Sequence, residues 1–131
     1  MAVDIPKAYM DLFERRAFAS LATLMPDGSP HVTPVWVLYE APYVLVNTAR
    51  GRVKDRNVHE DPRVAMAIID PDNPYRYLAI QGRVVKATEK GAVDVINQMN
   101  MKYQGDPTYP LPEGEVRVTY LIEPENVWGS G

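Results

Sequence analysis

The sequence contains no cysteine and only two histidines, His31 and His59. The first absence excludes disulfides, thiolate catalysis and cysteine-ligated metals, and the second leaves too few imidazoles for a histidine-rich metal site. Tryptophan and phenylalanine are scarce, at two each, and the net charge is −3. Nucleic-acid binders of this size are more often basic, and single-stranded nucleic acid needs aromatics spread over a basic face, so a nucleic-acid partner is not expected. No apolar run approaches the ~20 residues that span a bilayer. The N-terminal "MAVDIPKAYMDLFERR" carries acids and lacks the apolar stretch of a secretory leader. The expectation is a soluble cytoplasmic protein with no membrane partner and no metal. The motifs G-x-x-x-x-G-K-[ST], G-x-G-x-x-G, H-E-x-x-H and G-x-S-x-G are also missing, which removes the common nucleotide loops, zinc-protease helices and serine elbows.

What is present is proline, twelve of them among 131 residues, placed as punctuation. "MPDGSP" (25–30), "EAPY" (40–43) and "DPDNPY" (70–75) read as tight turns, and "GDPTYPLPEGE" (105–115) as a long polar loop. In the third turn Asp70 and Asp72 are expected to shape the backbone, not to act as an acid–base pair. Between the breaks the apolar pattern predicts six strands: 18–24, 32–39, 43–47, 64–69, 77–87 and 116–122. Three helices are expected: 6–16 with Asp4 as a possible cap, 52–60 stopping before Asp61-Pro62, and 89–103 with Thr88 as the cap and Ala92, Ile96, Met99 and Tyr103 on one face. Tight turns make the strands antiparallel, and closing them into a small barrel removes exposed edges. Residues 1–131 read as one unit.

The chemistry-bearing feature is "NTARGRVKDRN" (47–57). Four basic residues, Arg50, Arg52, Lys54 and Arg56, fall within seven positions of an acidic chain. A strand ends near Asn47-Thr48, Gly51 allows a turn, and a helix starts near Arg52. Free N–H groups and the dipole at a helix start attract anions, and arginine and lysine add charge-assisted hydrogen bonds. The cluster therefore suits a phosphate held by Arg52 and Lys54. The bland alternative is a solvated charged face with Arg56 paired to Glu60.

The order of "GSPHVTPVW" (28–36), "NTARGRVKDRN" followed by "DPRV", and "QGR" (81–83) resembles the pyridoxamine-5'-phosphate-oxidase-like, FMN-binding split-barrel superfamily. Within it the wording is similar to the branch that uses the deazaflavin F420. The resemblance implies a mainly β fold, a six-stranded antiparallel split β-barrel of Greek-key type with a few helices. It also implies a homodimer with cofactor at the subunit interface. By position, Thr48, Arg52 and Lys54 would hold the cofactor phosphate, with Asn47, Arg50, Arg56 and Asn57 nearby. Thr33, Pro34, Val35 and Trp36 would flank the ring, and the strand through Tyr77 and Gln81 would complete that wall, from the same or the other subunit. The implied activity is F420-dependent hydride transfer to a conjugated small molecule such as an unsaturated ketone, a quinone or a tetrapyrrole-like compound. FMN is the alternative cofactor, and a carrier or sensor without turnover is the alternative role. No catalytic residue is named; His31, Tyr75 and Tyr77 are the few proton-donor options. No Arg-x-His element like that of the B6 oxidases precedes the final "NVWGSG", so vitamin B6 oxidation is not expected.

Overall fold

A computed structural model describes residues 2–131. Its strands are β1 (Ala19–Leu24), β2 (Pro30–Val35), β3 (Leu38–Glu40), β4 (Tyr43–Ala49), β5 (Arg63–Asp70), β6 (Asn73–Thr88) and β7 (Arg117–Ser130). Its α-helices are α1 (Asp11–Glu14), α2 (Val53–Glu60) and α3 (Ala92–Gln104), and a 3-10 turn (Lys7–Tyr9) precedes α1. All pairings are antiparallel, in the order β2-β1-β5-β6-β7-β4-β3. The expected mainly β class and split barrel are observed, with seven strands in place of six.

The extra strand comes from a break in the predicted 32–39 strand. Trp36 and Val37 belong to no ladder; β2 ends before them on one edge of the sheet and β3 begins after them on the other. The sheet is therefore joined by the chain across those two residues and not by hydrogen bonds. The backbone there needs other partners, because an unpaired buried amide costs as much as a lost hydrogen bond. Tyr103 of α3 supplies them: its hydroxyl accepts from the Val37 N–H at 3.1 Å and donates to the Ala17 carbonyl at 2.6 Å. The Lys102 ammonium donates to the Val37 carbonyl at 2.8 Å.

The predicted helices differ at their starts. Segment 6–16 yields only α1 and the preceding turn, because Arg15 turns extended to reach Asp11 and Asp70 while Leu12 and Phe13 enter the core. Asp4 caps nothing; Pro6 precedes the 3-10 turn without a side-chain cap. Thr88 does not cap α3 either. It remains in β6, paired with Thr119, and Gly91 in the left-handed conformation (φ 75°) takes the position before α3. The predicted apolar face of α3 is buried as expected, at Ala92, Ile96, Met99 and Tyr103. Asp70 accepts from the Asp72 N–H at 2.8 Å, the turn-shaping role expected of it.

Strand β7 runs to Ser130, well past its predicted end, because it pairs with β6 from Tyr77↔Ser130 to Thr88↔Thr119, and β6 starts early, at Asn73 opposite Asp70 of β5. Pro124 is accommodated at a register shift opposite Gly82. A Cβ at Gly82 would lie 2.2 Å from the Glu123 carbonyl oxygen, so only glycine permits this approach.

Two clusters fill the interior. Val44, Val46, Ile68, Leu78, Ile80, Val118, Tyr120 and Ile122 pack inside the barrel with Leu12 and Phe13. Leu45, Ile96 and Met99 pack between β4 and α3, with Trp36 and Tyr109 against them.

Candidate functional site

The anion-seeking segment is built as the sequence suggests, with one residue trimmed. Gly51 turns the chain (φ 89°), Arg52 occupies the extended position before α2, and no side chain caps the helix. The turn is pinned from below. Asp55, 5% exposed, accepts from the Gly51 N–H (3.2 Å), Arg50 (3.1 Å) and the buried Tyr120 hydroxyl (2.5 Å). Burial acts to raise the Asp55 pKa, and these donors outweigh it and hold the carboxyl below its ordinary range. Burial likewise pushes the Tyr120 hydroxyl up, reinforced by Asp55.

A pocket of about 200 Å³ opens beside this turn. Phe18, Trp36 and Tyr109 form its aromatic side, Ile96 and Met99 its apolar base, and Arg52, Lys54 and Arg117 its cationic end. The indole of Trp36 stacks on the Tyr103 ring (5.1 Å, 7° between planes) and meets Tyr109 edge-on at 6.2 Å. Arg117 has a side chain only 3% exposed; it donates to Asn47 Oδ1 at 2.9 Å and to Glu115 at 3.1 Å, and lies over the Tyr109 ring. Arg52 donates to the same Glu115 oxygen at 3.0 Å.

Lys54 differs from its neighbours. It is half-buried and makes no hydrogen bond or ion pair among the described residues. Burial lowers its pKa, and the nearby Arg52 and Arg117 charges lower it further. A half-buried cation without a counter-charge, beside two more cations, is a site that gains from an anion.

The structure gathers some of the predicted residues and separates others. Pro34, Val35, Trp36, Asn47, Arg52 and Lys54 all line this pocket. Thr33 does not line it, and its buried hydroxyl has no partner. Thr48, 1% exposed, falls on the alternation of Val44 and Val46 and faces the core. Arg50 is committed to Asp55 and Glu89. Arg56 is exposed and forms no ion pair with Glu60. Asn57 is buried, donating to Thr23 at 2.9 Å. Tyr77 and Gln81 lie on the outer face of β6, and Gln81 lines a different cavity, of about 400 Å³, with Arg63, Gly82 and Asn126.

Sequence reasoning missed Phe18, Tyr109, Glu115 and Arg117. Arg117 alone carried a signal, an arginine inside an otherwise apolar, alternating strand; Tyr109 and Glu115 sit in a polar loop whose path no local pattern sets. Among the described residues no cluster of His, Asp or Glu could hold a metal ion.

A family model described as pyridoxamine 5'-phosphate oxidase matches residues 5–129. The chain belongs to the pyridoxamine 5'-phosphate oxidase family. A solved structure named F420 reductase is 34% identical, with 95% of this chain and 98% of that one covered and a TM-score of 0.85. A conserved hypothetical protein from Mycobacterium tuberculosis is 21% identical over 98% of this chain and 86% of that one (TM-score 0.73). A protein from Listeria innocua described as a pyridoxamine 5'-phosphate oxidase by similarity is 17% identical over 93% and 92% (TM-score 0.69). The last two share the fold alone. No curated protein matches the chain. Membership in this oxidase family supports a flavin- or deazaflavin-linked oxidoreductase.

Proposed function

We propose that the protein is an F420-dependent reductase that transfers a hydride between the deazaflavin and a conjugated small molecule. The observation that carries the reading is Lys54, half-buried and without a counter-charge, at the end of an aromatic pocket. The 34% identity to a protein named F420 reductase, over nearly the whole of both chains, favours F420 over FMN.

When bound, the deazaflavin ring supplies the hydride chemistry. The chain's own residues do the rest. Lys54, Arg52 and Arg117 hold the phosphate. Asn47 serves as a brace: its amide donates to Ala92 O and Thr119 and its oxygen accepts from Arg117, so it has no N–H left to donate to a phosphate. Pro34, Val35 and Trp36 border the ring. No carboxyl or imidazole lines the pocket, so the accompanying proton is assigned to water.

The site is completed by a second copy of the chain. A pocket of 200 Å³ is below the ~300 Å³ at which ligand sites begin. Cross-strand partners share a face, and the register yields two outward rows: Pro34–Ser20–Ala67–Ala79–Trp128 and Val32–Ala22–Ala65–Gln81–Asn126. Small residues with exposed Val32 (62%) and Trp128 (51%) at the margins form a face suited to close packing of sheet on sheet. Pro34 belongs both to this face and to the pocket, so a partner seated there would bring its own Tyr77 and Gln81 region toward the ring.

Titration of the purified protein with F420 and with FMN, followed by cofactor fluorescence and absorption, tests the reading. F420 is expected to bind more tightly and, once reduced, to be oxidised by at least one enone or quinone. Tighter FMN binding would overturn the cofactor assignment. Tight F420 binding with no oxidation across the acceptor panel would make the protein a carrier.

A further inference from the structure

Glu115 is the one carboxylate among the pocket's cations. Its side chain is 13% exposed. One oxygen, Oε1, accepts from both Arg52 and Arg117, at 3.0 and 3.1 Å. The other, Oε2, is buried and has no donor. Buried acceptors are almost always satisfied, and this one belongs to a carboxylate whose other oxygen is shared by two guanidinium groups. Asp55, the other buried acid nearby, is occupied by Arg50, Tyr120 and Gly51. Glu115 therefore takes up charge from two of the pocket's three cations and keeps one oxygen unpartnered, leaving Lys54 as the pocket's single unpaired positive charge. An acceptor at this place repels phosphate oxygens, and the penalty grows with the charge on the phosphate.

We infer that Glu115 is a specificity-determining residue that makes this anion site prefer a singly charged phosphodiester to a doubly charged phosphomonoester. The inference rests on the reading of the pocket as a cofactor-phosphate site and deepens it. The phosphate of F420 is a diester with one charge. That of FMN is a monoester, mostly dianionic at neutral pH because its second pKa is about 6. Glu115 thus selects between the two cofactor classes by charge alone, at a point remote from the ring.

The substitution Glu115→Gln is close to isosteric. It keeps an oxygen for Arg52 and Arg117, removes the negative charge and puts an amide donor where the orphan oxygen lies. The test follows the Lys54 backbone amide by NMR in titrations of the full chain with methyl phosphate and dimethyl phosphate, alongside fluorescence titrations with FMN and F420. In the unaltered protein dimethyl phosphate is expected to bind at least as tightly as methyl phosphate. In Glu115→Gln methyl phosphate should tighten about tenfold and dimethyl phosphate less than about threefold, the size expected for removing one nearby charge at a partly exposed site. The ratio of FMN to F420 affinity should move in the same direction, and Glu115→Ala should repeat the trend. An unchanged monoester-to-diester ratio in both variants overturns the inference even where F420 binds well, and so does the lack of any Lys54 response to either phosphate. A Glu115-dependent ratio for the simple phosphates, in a protein that binds neither cofactor, upholds the charge selection while removing the cofactor reading.

Discussion

At the scale of single residues the cationic segment divides by what each side chain already holds. Arg50 and Lys54 looked equivalent as members of one charge cluster. In the fold Arg50 is tied to Asp55 and Glu89, and Lys54 has nothing. Their substitutions should therefore separate. Lys54→Ala removes one charge-assisted contact, worth about 1.5–3 kcal/mol. F420 affinity should fall roughly tenfold to a hundredfold by fluorescence titration, with no loss of thermal stability, since an uncompensated half-buried charge is removed. An affinity within twofold of the parent would remove Lys54 from the site. Charge density was legible in the sequence, and so was the position of Arg52 at the helix start. Which cations are spent was not, because Glu89, Glu115 and Arg117 arrive from distant segments. Thr48 shows the same limit: the family resemblance implied a phosphate ligand, and strand alternation turned it inward.

At the scale of elements the informative piece is α3, which serves as a substitute ladder for the split in the sheet. Tyr103→Phe leaves the Val37 N–H and the Ala17 carbonyl without the partner they now share. An orphaned buried polar group costs about 1–3 kcal/mol, so urea unfolding should show a loss in that range with little change in the slope of the transition. The neighbouring Lys102 adds a pH dependence. Burial lowers its pKa from 10.5 to about 8, against the pull of Glu14. The folded state then sheds its proton before the unfolded state does, so between about pH 8 and 10.5 the unfolded chain binds more protons and stability rises with pH. Measured against Lys102→Met, the unaltered protein should gain stability from pH 7.5 to 9.5; a flat or falling difference would show that the ammonium carries no burial cost. Helix α3 itself was readable from its apolar period. Its start was not, since the pairing of β6 with β7 carried the strand on to Thr88 and left the turn to Gly91. The break at Trp36–Val37 was equally hidden, because nothing in an unbroken run of β-formers marks where its two halves join opposite edges.

At the scale of the whole molecule the outward rows of alanine and serine on β1, β5 and β6 lead to the proposed dimer. Ala67→Glu and Ala79→Glu each place a charge at the middle of that face without touching the pocket lining. Light scattering should report a dimer for the parent and a monomer for the variants. Cofactor affinity should fall with the loss of the partner, although Lys54 is intact. A monomeric parent that binds F420 at full strength would refute the shared site. The mainly β class and antiparallel pairing were predictable from the period-two patterns and the proline-marked turns. The strand order was not, since it depends on contacts spanning most of the chain.

The long-range pairing of β4 with β7 also sets when the protein becomes competent during folding. Asn47 and Arg117 bond across 70 positions of sequence, and contacts of that span carry the highest loop-closure cost and slow the approach to the native state. The hairpins β1–β2 and β3–β4 can form locally, and Lys54 can sit at its helix start, well before the anion site exists. Arg117 reaches its place only when the last strand docks. A nascent chain still short of residue 117 has no such pocket, and recovery of ligand fluorescence in a refolding experiment should lag the return of β structure. Binding competence is thus a timer for completion of the barrel.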